Sequence, residues 1–438
     1  MDRRWLFADQ LGPHFLDATD QPVLIIESRA ALRRRPVHRR RAHLVLSALR
    51  HRAAELGDQA ILIHAGTYRE AIEQAGTGLT VCAPTSWAAR QLAGSLPQVT
   101  VQAARGFATS GEEFAAWADG RGRRRLLLED FYRDARRRLD ILMDGTEPAG
   151  GRWNFDEQNR EPPPERGLGL PGPAGFSEDT IDEQVRRDLD RWHDAGQVQL
   201  TGQLGLLDPV ECAQAAEAAY RAGEAPLASV EGYVRQLIGW RDYVWHLYWH
   251  FGADYRHRNA LRARTPLPDW FTGLDADAVQ ARCLKHALAQ VREHGYGHHI
   301  IRLMVLGNYA LQRGWDPAEL TSWFRTNFVD GYDWVMVPNV VGMSQHADGG
   351  LMATKPYAGG GAYINRMSDY CGECPYRPTV RLGPDACPFT AGYWWFLDRH
   401  ADRFARNPRM ARQVRGAARL DDLRQVVAQE KDRGSRPP

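Results

Sequence analysis

The stretch RMSDYCGECPYRPTVRLGPDACPF, residues 366–389, sets three cysteines close together near the end of the chain, two of them followed directly by proline. The spacing Cys371-x2-Cys374-x12-Cys387 is that of metal ligands. Three thiolates leave one corner of a tetrahedral set open, and Cys283, on a helical stretch, is the available fourth. Zinc is satisfied by such a set. So is a [4Fe–4S] cluster, which takes four thiolates and often has a Cys-Pro step at a ligand. Spacing alone admits both. Unconnected thiols are the bland alternative, and it applies most readily to Cys283. Cys82, in a strand-like run, and Cys212, in an Ala-rich helix, read as small buried hydrophobes.

Working outward from that clasp, the chain from residue 205 on is helical in pattern. PVECAQAAEAAYRAG, SVEGYVRQLIGWRDYVWHLYWHFG, ADAVQARCLKHALAQVREHGYGHHIIRLMVLGNYALQ and AELTSWFRTNFVDGYDWV all carry apolar residues at i, i+3, i+4. The first hundred residues differ. RWLFADQL, PVLIIES, AILIHA, LTVCAP and VTVQAA read as strands. HLVLSALRHRAAEL, TYREAIEQAG and SWAARQLAGSL between them read as helices. That alternation implies a parallel, doubly wound sheet. No GxGxxG occurs, so the usual dinucleotide fingerprint is absent. EPPPERGLGLPGPAG, residues 161–175, is too rich in proline and glycine for a helix and reads as a linker. The expected organisation is an α/β domain over 1–135, an interdomain linker over 136–180 and an all-helical domain over 181–438.

Composition narrows the class. The 438 residues are 43% hydrophobic and 25% charged, with a net charge of +2. No apolar run is long enough to span a membrane. The opening MDRRWLFADQLG has neither an apolar core nor a cleavage site, which points to the cytoplasm. Lysine occurs only at 285, 355 and 431, so nearly all the basic residues are arginine. The clusters RRRPVHRRR and RGRRR suit phosphate contacts if they share a face; solvated surface is the plainer reading. In the helical half the many tryptophans are mostly core. His298 and His299, in YGHHIIRLM, are candidates for a general acid. VDGYDWVMVPNVVGMSQHADGG, residues 329–350, is polar and Gly-rich, and reads as cofactor contacts or as a long connection.

GGRWNFDEQNR (150–160), EGYVRQLIGWRDY (231–243), YGHHIIRLM (296–304), the run from YDWVMVPNVVGMSQHADGG through TKPYAGGGAYINRMSDYC, and the three late cysteines together resemble the iron–sulfur bacterial cryptochromes and photolyases. These form the prokaryotic (6-4) branch of the photolyase/cryptochrome superfamily. The resemblance covers almost the whole chain. It implies an α/β antenna domain for 6,7-dimethyl-8-ribityllumazine and a helical domain for FAD. It implies a [4Fe–4S] cluster on Cys283, Cys371, Cys374 and Cys387. The activity implied is light-dependent repair of UV-damaged DNA by electron transfer from reduced FAD, in a monomer. His299 falls where the family has the histidine facing the lesion, with His298 beside it and Tyr357 at another lesion-side position. Trp323 matches a tryptophan of the electron path, whereas Phe324 and Phe271 stand where a relative has Tyr and Trp. The implied flavin contacts are Arg235, Gln236, Arg241, Arg302, Asp330, Asp333, Asn339 and Met336. Asp9, Gln10 and Glu27 are the implied antenna contacts.

Two departures from the family pattern are visible. FSEDTIDEQVRRDLDRWHDAGQVQLT runs almost directly into GLLD, so helices that include a segment holding the FAD phosphates are missing. Met336 occupies the position facing flavin N5, usually Asn, Asp or Glu, and a thioether neither ionises nor bonds as those do. Two other functions are therefore carried alongside repair: a cryptochrome-type blue-light photoreceptor, and a flavin-deficient iron–sulfur relative that binds DNA.

Overall fold

A computed structural model describes residues 2–34, 37–122, 124–159, 177–192 and 205–438. The proline-rich segment 161–175 and most of the region preceding GLLD lie outside the described residues. Two compact units emerge. One draws on Met1–Glu161, Gly172–Ala253 and Phe328–Val335, the other on Asp254–Asn327 and Met336–Pro438.

The first unit is built on a five-stranded sheet: β1 (Arg3–Leu6), β2 (Val23–Ser28), β3 (Ala60–Ala65), β4 (Leu79–Cys82) and β5 (Val99–Gln102). All pairings are parallel, in the order β3-β2-β1-β4-β5, with Trp5 beside Leu24, Ile25 beside Leu62 and Val81 beside Val101. Every residue of β2 is buried, as expected when helices cover both faces. Trp5, Leu24, Ile26, Ile63 and Val81 pack on one face, with Ile72 from the Tyr68–Ala75 helix. Leu6, Val23, Ile25 and Cys82 pack on the other, with Leu49 from the Arg39–Leu56 helix. Each such large side chain contributes about 1.5–3 kcal/mol of burial. Thr67 and Glu70 close a capping box at the start of Tyr68–Ala75, satisfying two orphan amides.

Helices Thr180–Trp192, Pro209–Arg221, Leu227–Val234 and Asp242–His250 complete this unit, the last two joined by a π-helical stretch, Arg235–Arg241. The clusters of arginine are partly absorbed internally. Arg39 pairs with Asp190, Arg41 donates to the Gly331 carbonyl at 2.8 Å, and Arg121 pairs with Asp130.

The second unit is helical. The stretch 276–312, read as helical in pattern, forms two helical segments: Arg282–His294, then a continuous stretch from His299 to Arg313 whose middle, Arg302–Gly307, is π-helical. Gly295 causes the break by taking a left-handed conformation, φ 59°, that ends the first helix. The polar stretch 329–350 is not a plain connection, since it contains the Asp333–Val337 helix and a π-helical turn, Pro338–Ser344. Further helices include Pro317–Asn327, Gly361–Met367, Pro388–Arg399, Ala411–Ala417 and Leu423–Arg433. Leu311, Phe396, Leu397, Phe404 and Val414 form an apolar core, and a fully buried Arg313–Glu430 ion pair ties the last helix into it. Among the described residues no helix is long and apolar enough to cross a membrane.

Candidate functional site

The four late cysteines meet in the helical unit. Cys283 sits in the first turn of Arg282–His294, Cys371 in the short turn Tyr370–Glu373, Cys374 just after it, and Cys387 at the N-cap of Pro388–Arg399. All four line one recess of about 290 Å³, with Ile364, Tyr370, Tyr376 and Phe389 among its walls. The backbone explains the convergence. Cys374 N–H donates to the Cys371 carbonyl at 3.4 Å and Cys387 N–H to the Val380 carbonyl at 3.0 Å, while Arg377 bridges to Ala386. Pro388 opens its helix at a position where no amide is needed. Two of the thiols therefore stand at helix N-termini, where peptide dipoles favour a thiolate.

Burial dominates the thiol electrostatics. It holds Cys283 well above the usual thiol range, and the neighbouring Cys387, Cys374 and Cys371 push it further. The same causes raise Cys371 to about 11. Burial raises Cys387 too, although the Phe389 and Thr390 backbone amides pull against it. Thiols gathered in this way give up their protons as a metal binds in their place. Four thiols converging on one recess are a donor set suited to a metal centre.

His298 and His299 are exposed at the start of the same unit's His299–Arg313 stretch. His298 is the N-cap, its Nδ1 accepting from Ile300 N–H at 3.2 Å, so its ring is committed to the helix end. His299 takes the first helical position. Arg302 Nε donates to the Gly297 carbonyl at 2.6 Å and its guanidinium lies 5.1 Å from the Tyr296 ring. Tyr357 is half-buried. Trp323 is buried, donating to the Phe271 carbonyl at 3.1 Å, with the Phe271 ring at 4.4 Å and that of Phe324 at 5.1 Å.

The residues implied as flavin contacts are shared between the units. Arg302, Met336 and Asn339 belong to the helical unit, and Met336 is buried. Arg235, Gln236, Arg241, Asp330 and Asp333 belong to the other. Arg235 is held by Asp156 at 2.9 Å and Glu231 at 3.3 Å, so little net charge remains for an outside anion. Gln236 is exposed and donates to the Gly232 carbonyl at 3.3 Å. Asp330 is half-buried, and Asp333 begins its helix, buried. Arg241 differs. It donates to the Gly106 carbonyl at 2.7 Å and lies over Phe107. Its nearest carboxylate, Asp242, is 3.8 Å away, and burial raises that acid to about 7. Burial in turn lowers Arg241. An under-neutralised guanidinium of this kind fits a cofactor phosphate.

A second cavity, of about 380 Å³, opens beyond the carboxyl ends of β1 and β2. Phe7, Tyr68, Ile26, Val45 and Leu46 give it apolar walls and Glu27 a carboxylate. Glu27 is gripped by Arg50 at 2.7 and 2.9 Å and by His64 Nδ1 at 2.9 Å. Sequence reasoning missed both partners, since no spacing marks a residue in mid-helix as the mate of a strand end. Asp9 and Gln10 do not line this cavity. They lie at the switch point between β1 and β4, where ligands of such sheets commonly bind. Asp9 accepts from Thr85, and Gln10 donates to the Cys82 and Ala83 carbonyls at 3.0 and 3.4 Å.

Comparison with known proteins identifies the family. A family model described as deoxyribodipyrimidine photo-lyase-related protein matches residues 4–199. The (6-4) photolyase of Agrobacterium fabrum is 36% identical over 490 aligned positions, covering 95% of each chain. Those positions exceed the 438 residues here by 52, so at least that many are filled by the relative alone. The crystal structure of a bacterial class III photolyase from Agrobacterium tumefaciens is similar in fold, with a TM-score of 0.56 over 91% of this chain and 97% of that one, at 15% identity. A Synechocystis cryptochrome reaches 0.50 over 78% and 82%, at 12% identity. The chain belongs to the iron–sulfur bacterial cryptochrome and photolyase family.

Proposed function

We propose that the protein is a light-driven DNA photolyase of the cytoplasm, acting as a monomer on (6-4) pyrimidine photoproducts. The observation that carries this reading is the 36% identity to a named (6-4) photolyase along nearly the full length of both chains. An exposed histidine at the matching position, His299, supports it. Bound FAD supplies the light-driven electron that breaks the lesion. The protein positions the reacting groups around it. Arg241, with its under-neutralised guanidinium, is the side chain best suited to hold a phosphate of the cofactor. Damaged pairs cost least to extrude from the duplex, which contributes to selection. His299, exposed at the first position of its helix, gives its proton to the extruded lesion. Arg302 lies one turn on, its amide donating to the His298 carbonyl at 3.1 Å, and Tyr357 is the other lesion-side residue that the family match implies. The four cysteines hold a [4Fe–4S] cluster, and the cavity beside Glu27 takes 6,7-dimethyl-8-ribityllumazine.

The test is repair of a (6-4) lesion oligonucleotide by reduced, anaerobically purified protein under blue light. Wild type is expected to restore the bases. His299→Ala is expected to lose about 10²–10⁴-fold in rate while keeping lesion binding. Absence of repair by a flavin-loaded wild type overturns the proposal. Met336 and the missing positions favour a second reading, a photoreceptor that keeps its cofactors without repair. Light-dependent flavin reduction with no lesion turnover selects it.

A further inference from the structure

Two buried amides in the helical unit converge on the backbone of a single glycine residue, Gly359, and Asn308 Nδ2 also donates to the Met304 carbonyl at 3.2 Å. Asn308 Nδ2 donates to the Gly359 carbonyl at 2.8 Å, and Asn308 Oδ1 accepts from the Gly359 amide at 3.1 Å. Gln312, one helical turn on, donates to the same carbonyl at 2.9 Å and to Asn308 Oδ1 at 3.0 Å. Both side chains are almost wholly buried, at 1% and 0% exposure. A buried amide is costly unless its partners are good, and packing alone at these positions calls for an apolar side chain. The pair instead fixes one peptide of the loop 356–361.

The far end of that loop is held from the cysteine recess. Gly361 N–H donates to Thr390 Oγ1 at 2.8 Å, and Thr390 Oγ1 donates to the Pro378 carbonyl at 2.6 Å. Thr390 lies in the first turn of the helix that Cys387 caps. A Cβ on Gly361 would stand 2.7 Å from Cys387 Sγ and 2.8 Å from the Pro378 carbonyl oxygen. Loop backbone and sulfur are therefore in direct contact, and glycine alone fits between them. Met304 packs at Gly359 from a third side. It belongs to the same continuous helical stretch that carries His299 and Asn308. Tyr357 stands two residues before the clamped peptide.

We infer that Asn308 and Thr390 are positioning residues that couple the four-cysteine site to the lesion-facing loop. Loading of the recess fixes Cys387 and with it Thr390. Thr390 holds Gly361, and the clamp on Gly359 keeps Tyr357 in register with His299. The role is mechanical, and it rests on the photolyase reading above.

The experiment uses full-length protein with three readouts: hydrogen–deuterium exchange over 354–361, iron content, and dark affinity for a (6-4) lesion duplex against its undamaged counterpart. Thr390→Val is expected to keep its iron, exchange faster across 357–361 and lose about tenfold in lesion affinity, with undamaged binding unchanged. Thr390→Ser is expected to behave as wild type, which a loss of packing alone would not allow. Asn308→Leu, remote from the sulfurs, is expected to loosen the same loop with iron retained. Wild type stripped of iron by a chelator is expected to match Thr390→Val in exchange. The inference is overturned if iron-replete Thr390→Val matches wild type in exchange and discrimination, or if stripping the iron leaves 357–361 unchanged. Should Thr390→Val shed its iron, Asn308→Leu decides, and wild-type exchange there overturns the inference. Exchange needs neither light nor DNA, so a protein that repairs nothing still answers the question of the loop.

Discussion

The cysteine recess and the cavity beyond β1 and β2 are opposite ways of making a binding site. In the recess four thiols converge, Cys283 and Cys387 buried and Cys371 and Cys374 half-buried, and burial favours the protonated form of Cys283, Cys371 and Cys387, so the site is completed only by what it binds. In the strand-end cavity the polar group is already satisfied. Glu27 has a bidentate guanidinium and an imidazole on it before any ligand arrives. A guest there gains from shape and apolar contact, and Glu27 orients it more than it attracts it. One site is unfinished without its occupant, whereas the other is preformed. Removing a donor should therefore be ruinous in the first and mainly a matter of stability in the second.

The largest effect is expected at Cys283. Cys283→Ser should drop iron from about four atoms per chain to below one and lower the melting temperature of the helical unit, read by iron quantitation and calorimetry. Retention of iron would place the fourth ligand elsewhere. Arg50→Met attacks the other site. It leaves the buried Glu27 with His64 as its remaining partner, and loss of one partner of a buried pair costs about 3–5 kcal/mol. Denaturant unfolding followed at Trp5 should show that loss, with iron content unchanged. A fall in iron would mean that the two sites are not independent.

A smaller effect depends on pH. Asp242, raised to about 7 by burial, binds more protons folded than unfolded, where a carboxyl sits near 3.9. Its contribution therefore favours the fold at low pH and is lost as pH climbs from about 4 to 7. His246, lowered to about 4 by burial, acts in the opposite sense over a similar range. The check is the difference between wild type and Asp242→Asn. That difference should shift against wild type by on the order of 3 kcal/mol between pH 4 and 7, and a flat difference would show the acid to be ionised throughout. Thr67→Ala, which opens the capping box, should cost only about 1 kcal/mol and serves as the control for an ordinary defect in the α/β unit.

The two sites also differed in how far they could be read in advance. All five strands lie where β-branched runs alternate with amphipathic ones, because a sheet covered on both faces imposes continuous hydrophobicity on each strand. Cys371, Cys374 and Cys387 declared themselves by spacing, since metal ligation restricts both residue type and interval. Arg50 and His64 did not, because an ion pair across a sheet leaves no periodic trace. Asn308, Gln312 and Thr390 were likewise silent: each looks like an ordinary polar residue in a helix until its partner peptide is seen. Gly295 ended a helix that apolar spacing alone would have carried on to residue 312.

The π-helical turn Arg302–Gly307 gives this architecture a sensitivity to chain length that no point substitution reproduces. An α-helix advances about 100° per residue, and a π turn is in effect one residue wound into a regular helix. Straightening the turn to the α form at constant length would swing His299 about a quarter turn around the axis relative to Asn308, whereas deleting one residue from it would restore the α form with that orientation kept. The orientation of the His299 imidazole is thus stored as a count of residues.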